Sequence, residues 1–68
     1  MTTQYADWQQ RVIAERDEVQ ERLSKLEPFL DSVGFVNLDA DNQDLLVEQA
    51  HIMDEYVNVL NRRIALFE

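Results

Sequence analysis

The chain has 68 residues, with 14 acidic side chains, six Lys and Arg together and one histidine, for a formal net charge of −8. That balance argues against general nucleic-acid binding, in which cations neutralise phosphates. Cysteine is absent, which excludes disulfides and thiolate metal sites, and His51 alone cannot build a zinc site.

Chains shorter than about 70–80 residues rarely draw more than about 3–5 kcal/mol from one core. They usually need a crosslink, a metal or a partner chain, so a homo-oligomer is expected here, with neither metal nor cofactor. Apolar residues make up 46% of the chain, with one Gly and one Pro, a composition that fits long helices joined by a single loop. No run approaches the roughly 18–20 apolar residues of a membrane span, and no basic start leads into an apolar stretch. Beginning at Met1, the chain is expected to be one complete cytoplasmic protein. Its acidity is uneven. Glu27, Asp31, Asp39, Asp41, Asp44, Glu48, Asp54 and Glu55 follow one another with no Lys or Arg between them, while both ends are close to neutral.

In the first half, Tyr5, Val12, Val19, Leu26 and Val33 form a seven-residue ladder, flanked by Trp8, Leu23 and Leu30. This spacing predicts a helix over about residues 3–33, capped at its start by Thr2 or Thr3. Glu15, Arg16 and Arg22 fall at or beside core positions, where long Arg stems can cover apolar surface. Pro28 predicts a kink at Ser24–Pro28, or a short break that restarts there. Gly34 is expected to end the helix in the left-handed conformation. Residues 34–39 form the connector, with Phe35 and Leu38 folding back as a plug and Asp39 capping the next helix.

The second helix is expected over about residues 40–67 and carries two adjacent ladders, Leu45, Ile52, Val59, Leu66 and Leu46, Met53, Leu60, Phe67. One stripe suffices to pack on one neighbour. Two stripes about 100° apart imply neighbours on two sides, so Leu45, Ile52, Met53, Val59, Leu60 and Leu66 are candidate oligomer contacts. The fold class is all-α: an antiparallel two-helix hairpin in a single domain, assembling into a helical bundle. Hairpin geometry brings residue i near residue ~72−i. Tyr5 then lies near Phe67, Trp8 near Ile64, Arg16 near Tyr56, and Arg11 near Asn61 and Arg62. The acidic stretch gathers at the closed end and the arginines at the open end.

The string Leu45-Leu46-Val47-Glu48-Gln49-Ala50-His51-Ile52-Met53-Asp54-Glu55-Tyr56, followed by Leu60, Arg62-Arg63-Ile64 and Phe67, resembles a family of small phage and prophage proteins, the crAss-like-phage-related helical hairpins. Arg11-Val12-Ile13-Ala14-Glu15-Arg16, Leu23, Leu26-Glu27, Phe29-Leu30, Phe35 and Leu38 extend the resemblance over about residues 5–67. It implies a phage or prophage origin and an accessory or counter-defence role. Pro28 departs from the ordinary helix former expected at its place.

No phosphate loop, catalytic triad spacing or metal motif is present. Glu48, His51 and Glu55 share a helix face but read as a solvated polar surface. Tyr5, Trp8 and Tyr56 sit at core spacing and read first as packing; the alternative is a stacking platform for a base. Arg11, Arg16, Arg62 and Arg63 read first as charges matched to acids across a subunit interface; the alternative is an anion pocket repeated by symmetry, since guanidinium forks suit phosphates. The leading expectation is a non-enzymatic protein that sequesters a small nucleotide-type immune signal between subunits, using these aromatics and arginines. The acidic stretch offers a second possibility, a DNA mimic or protein inhibitor. A purely structural assembly hairpin is the third.

Overall fold

The computed structural model describes residues 4–67. Three helices follow one another: α1 (Asp7–Leu30), α2 (Val33–Val36) and α3 (Ala40–Ile64), with no strand among the described residues. The two long helices run antiparallel and pack side by side as a rod of 52 × 17 × 15 Å. Its Cα radius of gyration is 15.6 Å, against about 11 Å for a compact domain of this length. A rod so thin has room for one buried stripe.

That stripe holds Val12 and Leu23 of α1 against Ala50, Val57 and Leu60 of α3, with Leu60 fully buried. Val19, Leu26, Leu46, Met53 and Ile64 are half-buried along it. The ladder through Leu46, Met53 and Leu60 therefore faces α1. This corrects the expected oligomer surface: Leu60 packs inside its own hairpin, and Met53 is half-covered there. The second ladder remains outside, with Leu45 62% exposed, Ile52 54%, Val59 45% and Leu66 81%.

The first helix starts later than its spacing suggests. Ala6 occupies the cap position and has no side-chain acceptor, but its N–H donates to Gln9 Oε1 at 2.8 Å, the reciprocal half of a capping box. Gln10 Nε2 donates to the Tyr5 carbonyl at 2.8 Å. The proposed caps Thr2 and Thr3 lie outside the described residues.

Pro28 does not split α1; it lies in the last turn, and the helix continues to Leu30. There the chain tightens into i→i−3 bonds, Asp31 N–H to the Pro28 carbonyl and Ser32 N–H to the Phe29 carbonyl, a common way to close a helix end. Ser32 then does two jobs. Its hydroxyl donates to the Phe29 carbonyl at 2.6 Å and accepts the Phe35 N–H at 3.2 Å, so it closes α1 and caps α2. Val33 leaves the seam as a result and stands exposed. Gly34 lies within α2, not at a left-handed stop, and no described residue has positive φ. What favours glycine there is the Phe29 ring, whose Cε1 would sit 3.0 Å from a Cβ. Phe29 and Phe35 meet edge-on at 6.4 Å between ring centres.

Asp39 occupies the N-cap of α3, as its position suggests, although its carboxylate accepts from the Asn42 side chain and not from a backbone N–H. Gln43 gathers the turn. Its amide reaches the carbonyls of Phe35, Val36 and Leu38 at 3.0, 3.1 and 3.0 Å, which supplies donors to the end of α2.

Two side-chain bonds fix the register across the seam, one on each broad face. Arg16 Nη1 donates to Asn61 Oδ1 at 2.6 Å, and the Tyr56 hydroxyl donates to Glu15 Oε2. Tyr5 meets Phe67 as expected, but Trp8 also meets Phe67, and Arg16 reaches Asn61 in place of Tyr56. The Tyr56 phenol is held above its ordinary value of 10.0, chiefly by the Glu15 hydrogen bond, then by desolvation and the Glu15 charge, with Arg63 pulling the other way.

Two measurements follow from this packing. Leu60→Ala should cost about 2–5 kcal/mol, read from urea unfolding followed by helix circular dichroism; a loss below about 0.5 kcal/mol would place the core elsewhere. In a Tyr5→Phe background, ultraviolet titration should show Tyr56 ionising above the ordinary phenol range, and Glu15→Gln should bring it down. The stability from this contact is complete below the unfolded-chain value of about 10 and is lost as pH rises through the raised folded value. Identical titrations with and without Glu15 would show that the bond does not hold in solution.

Candidate functional site

The open end of the hairpin is built on Phe67. Tyr5 packs on it at 5.7 Å between ring centres and a 56° tilt, and Trp8 meets it at 5.3 Å, nearly perpendicular at 80°. Such edge-on pairs are favourable because a positive ring edge meets a negative ring face. Trp8 still keeps 53% of its surface exposed. Beside it opens a shallow cleft of about 420 Å³ lined by Trp8, Gln9, Arg63, Leu66 and Phe67. A groove of about 370 Å³ adjoins it, lined by Val59, Arg62, Arg63 and Leu66. The two share Arg63 and Leu66, while Trp8 lines only the cleft and Arg62 only the groove. The walls of the cleft are an indole, a phenyl ring, an amide, one guanidinium group and aliphatic carbon.

The seven candidate ligand residues divide into three groups. Trp8 and Arg63 share the cleft, Arg62 lines the adjoining groove, and Tyr5 buttresses the cleft through Phe67. Arg11 stands apart in its own hollow with Asp7, Gln10 and Ala14. Arg16 and Tyr56 are engaged within the chain. Arg16 Nε meets Asp17 at 2.7 Å while its Nη1 holds Asn61, and Tyr56 is bonded to Glu15. Arg22–Glu18 and Lys25–Glu21 pair along α1. Arg11, Arg62 and Arg63 make no ion pair with any described residue.

Gln9 and Phe67 were missing from the candidate set. Phe67 was within reach of sequence reasoning, because the hairpin register already placed it beside Tyr5. Gln9 carries no comparable signal. It enters the cleft because α1 begins at Asp7, which puts Gln9 in the first turn. Elsewhere on the surface, Gln20, Asp54, Glu55, Val57, Asn58 and Asn61 line a polar groove of about 300 Å³. His51 Nε2 lies 3.1 Å from Glu55 Oε1. No group of three ligating side chains close enough to hold a metal occurs among the described residues, and no helix is long and apolar enough to cross a membrane.

A relative from Enterobacteria phage T4, described as an uncharacterized 7.5 kDa protein in the denB-rIIB intergenic region, is 36% identical over 61 residues, which cover 90% of this chain and 95% of that protein. No solved structure matches the chain. The resemblance to small phage proteins is thereby supported, while a crAss-like connection is not shown by these matches. A family model described as Sequestin matches residues 6–66, from the cap of α1 to just past the end of α3. This covers the seam, the turn and all of the cleft except Phe67, and the chain therefore belongs to the Sequestin family of small phage proteins.

Proposed function

We propose that this protein is a phage accessory factor that acts by binding and not by turnover. As a homo-oligomer in the host cytosol, it sequesters a small nucleotide-derived anion that serves as a signal in anti-phage defence. The family name speaks of sequestration and the T4 relative is a phage protein; both support the class of activity. The ligand chemistry rests on the open end.

The observation that carries this reading is the placement of Arg63 beside the half-exposed Trp8 in one cleft, with Arg62 lining the groove that adjoins it. An indole face takes a nucleobase by stacking, worth about 1–3 kcal/mol per base. Guanidinium groups take phosphate oxygens through paired N–H donors. The Gln9 side-chain nitrogen can donate at a base edge, its Oε1 already accepting the Ala6 N–H. Leu66 and Phe67 supply apolar walls. Volumes near 400 Å³ lie within the roughly 300–1,000 Å³ of small-molecule sites. The depression is open, so a second subunit would complete it. Sequestration needs nothing further, since a bound signal is withdrawn from its receptor by mass action.

Isothermal calorimetry against cyclic dinucleotides, larger cyclic oligonucleotides and ADP-ribose isomers tests the proposal. One of these classes should bind. Trp8→Ala and Arg63→Ala should each weaken that binding about tenfold or more, while Lys25→Ala, far along α1, should leave it intact. Absence of heat from all three classes, or equal binding by the Trp8 and Arg63 variants, would remove this reading.

A further inference from the structure

At the closed end the chain exposes apolar surface that its own fold does not use. Val33 and Val36 stand three residues apart on one side of α2 and are 76% and 70% exposed. The Phe29 ring, itself partly exposed, lies against Gly34, which falls between them in the sequence. The turn is already held by other groups: Ser32 caps α2, Phe35 packs on Phe29, and Gln43 takes the free carbonyls. Valine is β-branched and a poor helix former, so neither side chain serves the one-turn helix that carries it.

The charge at this end departs from what the helices favour. Asp39 and Asp41 suit the N-terminal end of α3. Glu27, however, lies in the last turn of α1 and Asp31 at its C-cap, where the helix dipole disfavours an anion and no basic residue answers it. Together with Asp44 these carboxylates precede and follow the two valines, and no Lys or Arg occurs from residue 26 to residue 61. None of them makes an ion pair with a described residue. Exposed apolar side chains and unanswered negative charge thus occupy the same end of the rod.

We propose that the closed end is a docking surface for a basic amphipathic helix of a partner protein, whose apolar stripe covers Val33, Val36 and Phe29 while its Lys and Arg side chains meet the carboxylates on either side. This goes beyond the anion-binding reading and does not depend on it. Charge complementarity selects the occupant. A neutral apolar segment leaves the carboxylates unanswered, and a hydrophilic polycation leaves the valines wet. A basic amphipathic helix supplies both contacts, with apolar residues every three or four positions and bases beside them. A second copy of this chain does not offer that stripe. Both of its long helices carry more acids than bases, and its Arg62 and Arg63 line the groove and cleft at the far end. The negative field also draws a basic partner in from a distance, an attraction that salt screens. Because the rod is 52 Å long, a helix at the turn leaves the cleft beside Trp8 free.

The probe is a synthetic helical peptide of Leu and Lys with one apolar face, titrated into the isotopically labelled full chain and followed by amide chemical shifts. The shifts should centre on Val33 and Val36, and affinity should fall as salt is added. A peptide of the same composition, with its Leu residues scattered round the helix, should bind at least about tenfold more weakly. Val33→Ser with Val36→Ser, and separately Glu27→Lys with Asp31→Lys, should each weaken binding about tenfold or more. Circular dichroism should show equal helix content throughout, since all four residues are exposed. Trp8→Ala should leave peptide binding intact, so the outcome is independent of any ligand at the cleft. Any of the following would overturn the proposal: no binding, shifts centred on the Leu45, Ile52 and Val59 ladder, equal binding by the scattered peptide, or equal binding by either double variant. So would concentration-dependent shifts at Val33 and Val36 in the protein alone, which would make the patch a contact between copies.

Discussion

Everything in this hairpin depends on how much of α3 a single neighbour can cover. A helix buries one stripe on one partner, and α3 carries two stripes of aliphatic side chains. The contact with α1 takes the stripe through Ala50, Val57 and Leu60 and leaves the other in water. The rod is held by a seam about one residue wide, so nearly all its internal burial lies on one line from Val12 to Leu23. Stability and assembly are therefore not separate properties of the chain, because the surface left over by one is the natural currency of the other.

Charge is organised along the same axis. Asp39 and Asp41 stand at the N-terminal end of α3 and Arg62 and Arg63 in its last turn. Each sign lies where the helix dipole favours it. The arrangement that suits an isolated helix also leaves the molecule acidic at its turn and close to neutral at its open end, where the arginines gather. The overall charge of −8 is thus concentrated away from the end where the indole is exposed, and an anion meets the least repulsion there.

Much of this was legible in the residues, and what was not has a physical reason. The ladders of α3 are regular in a 3.6-residue period, and Asp39 marks the start of that helix, so the antiparallel hairpin and the Tyr5–Phe67 contact followed. Which ladder would face α1 was hidden, because both are aliphatic and the choice is made by packing. The end of α1 was misplaced because a heptad ladder runs on through Val33, whereas Ser32 diverts the chain with one hydroxyl that serves two helices. Gly34 looked like a backbone requirement and is instead set against a neighbouring ring. Of the candidate ligand residues, Trp8 and Arg63 converge in one cleft with Arg62 beside it in the next groove, while Arg16 and Tyr56 hold the two helices in register, a role that depends on partners Asn61 and Glu15 that no spacing rule pairs.

Phe67 has a consequence for how the two ends of the hairpin behave. At the turn, Ser32 and Gln43 fasten the chain through backbone hydrogen bonds. At the mouth, the incoming and outgoing segments are joined through a ring touched by Tyr5 on one side and Trp8 on the other. A guest lodged against Trp8 and Phe67 would therefore grip both segments at once, and occupancy would stiffen the open end of the rod.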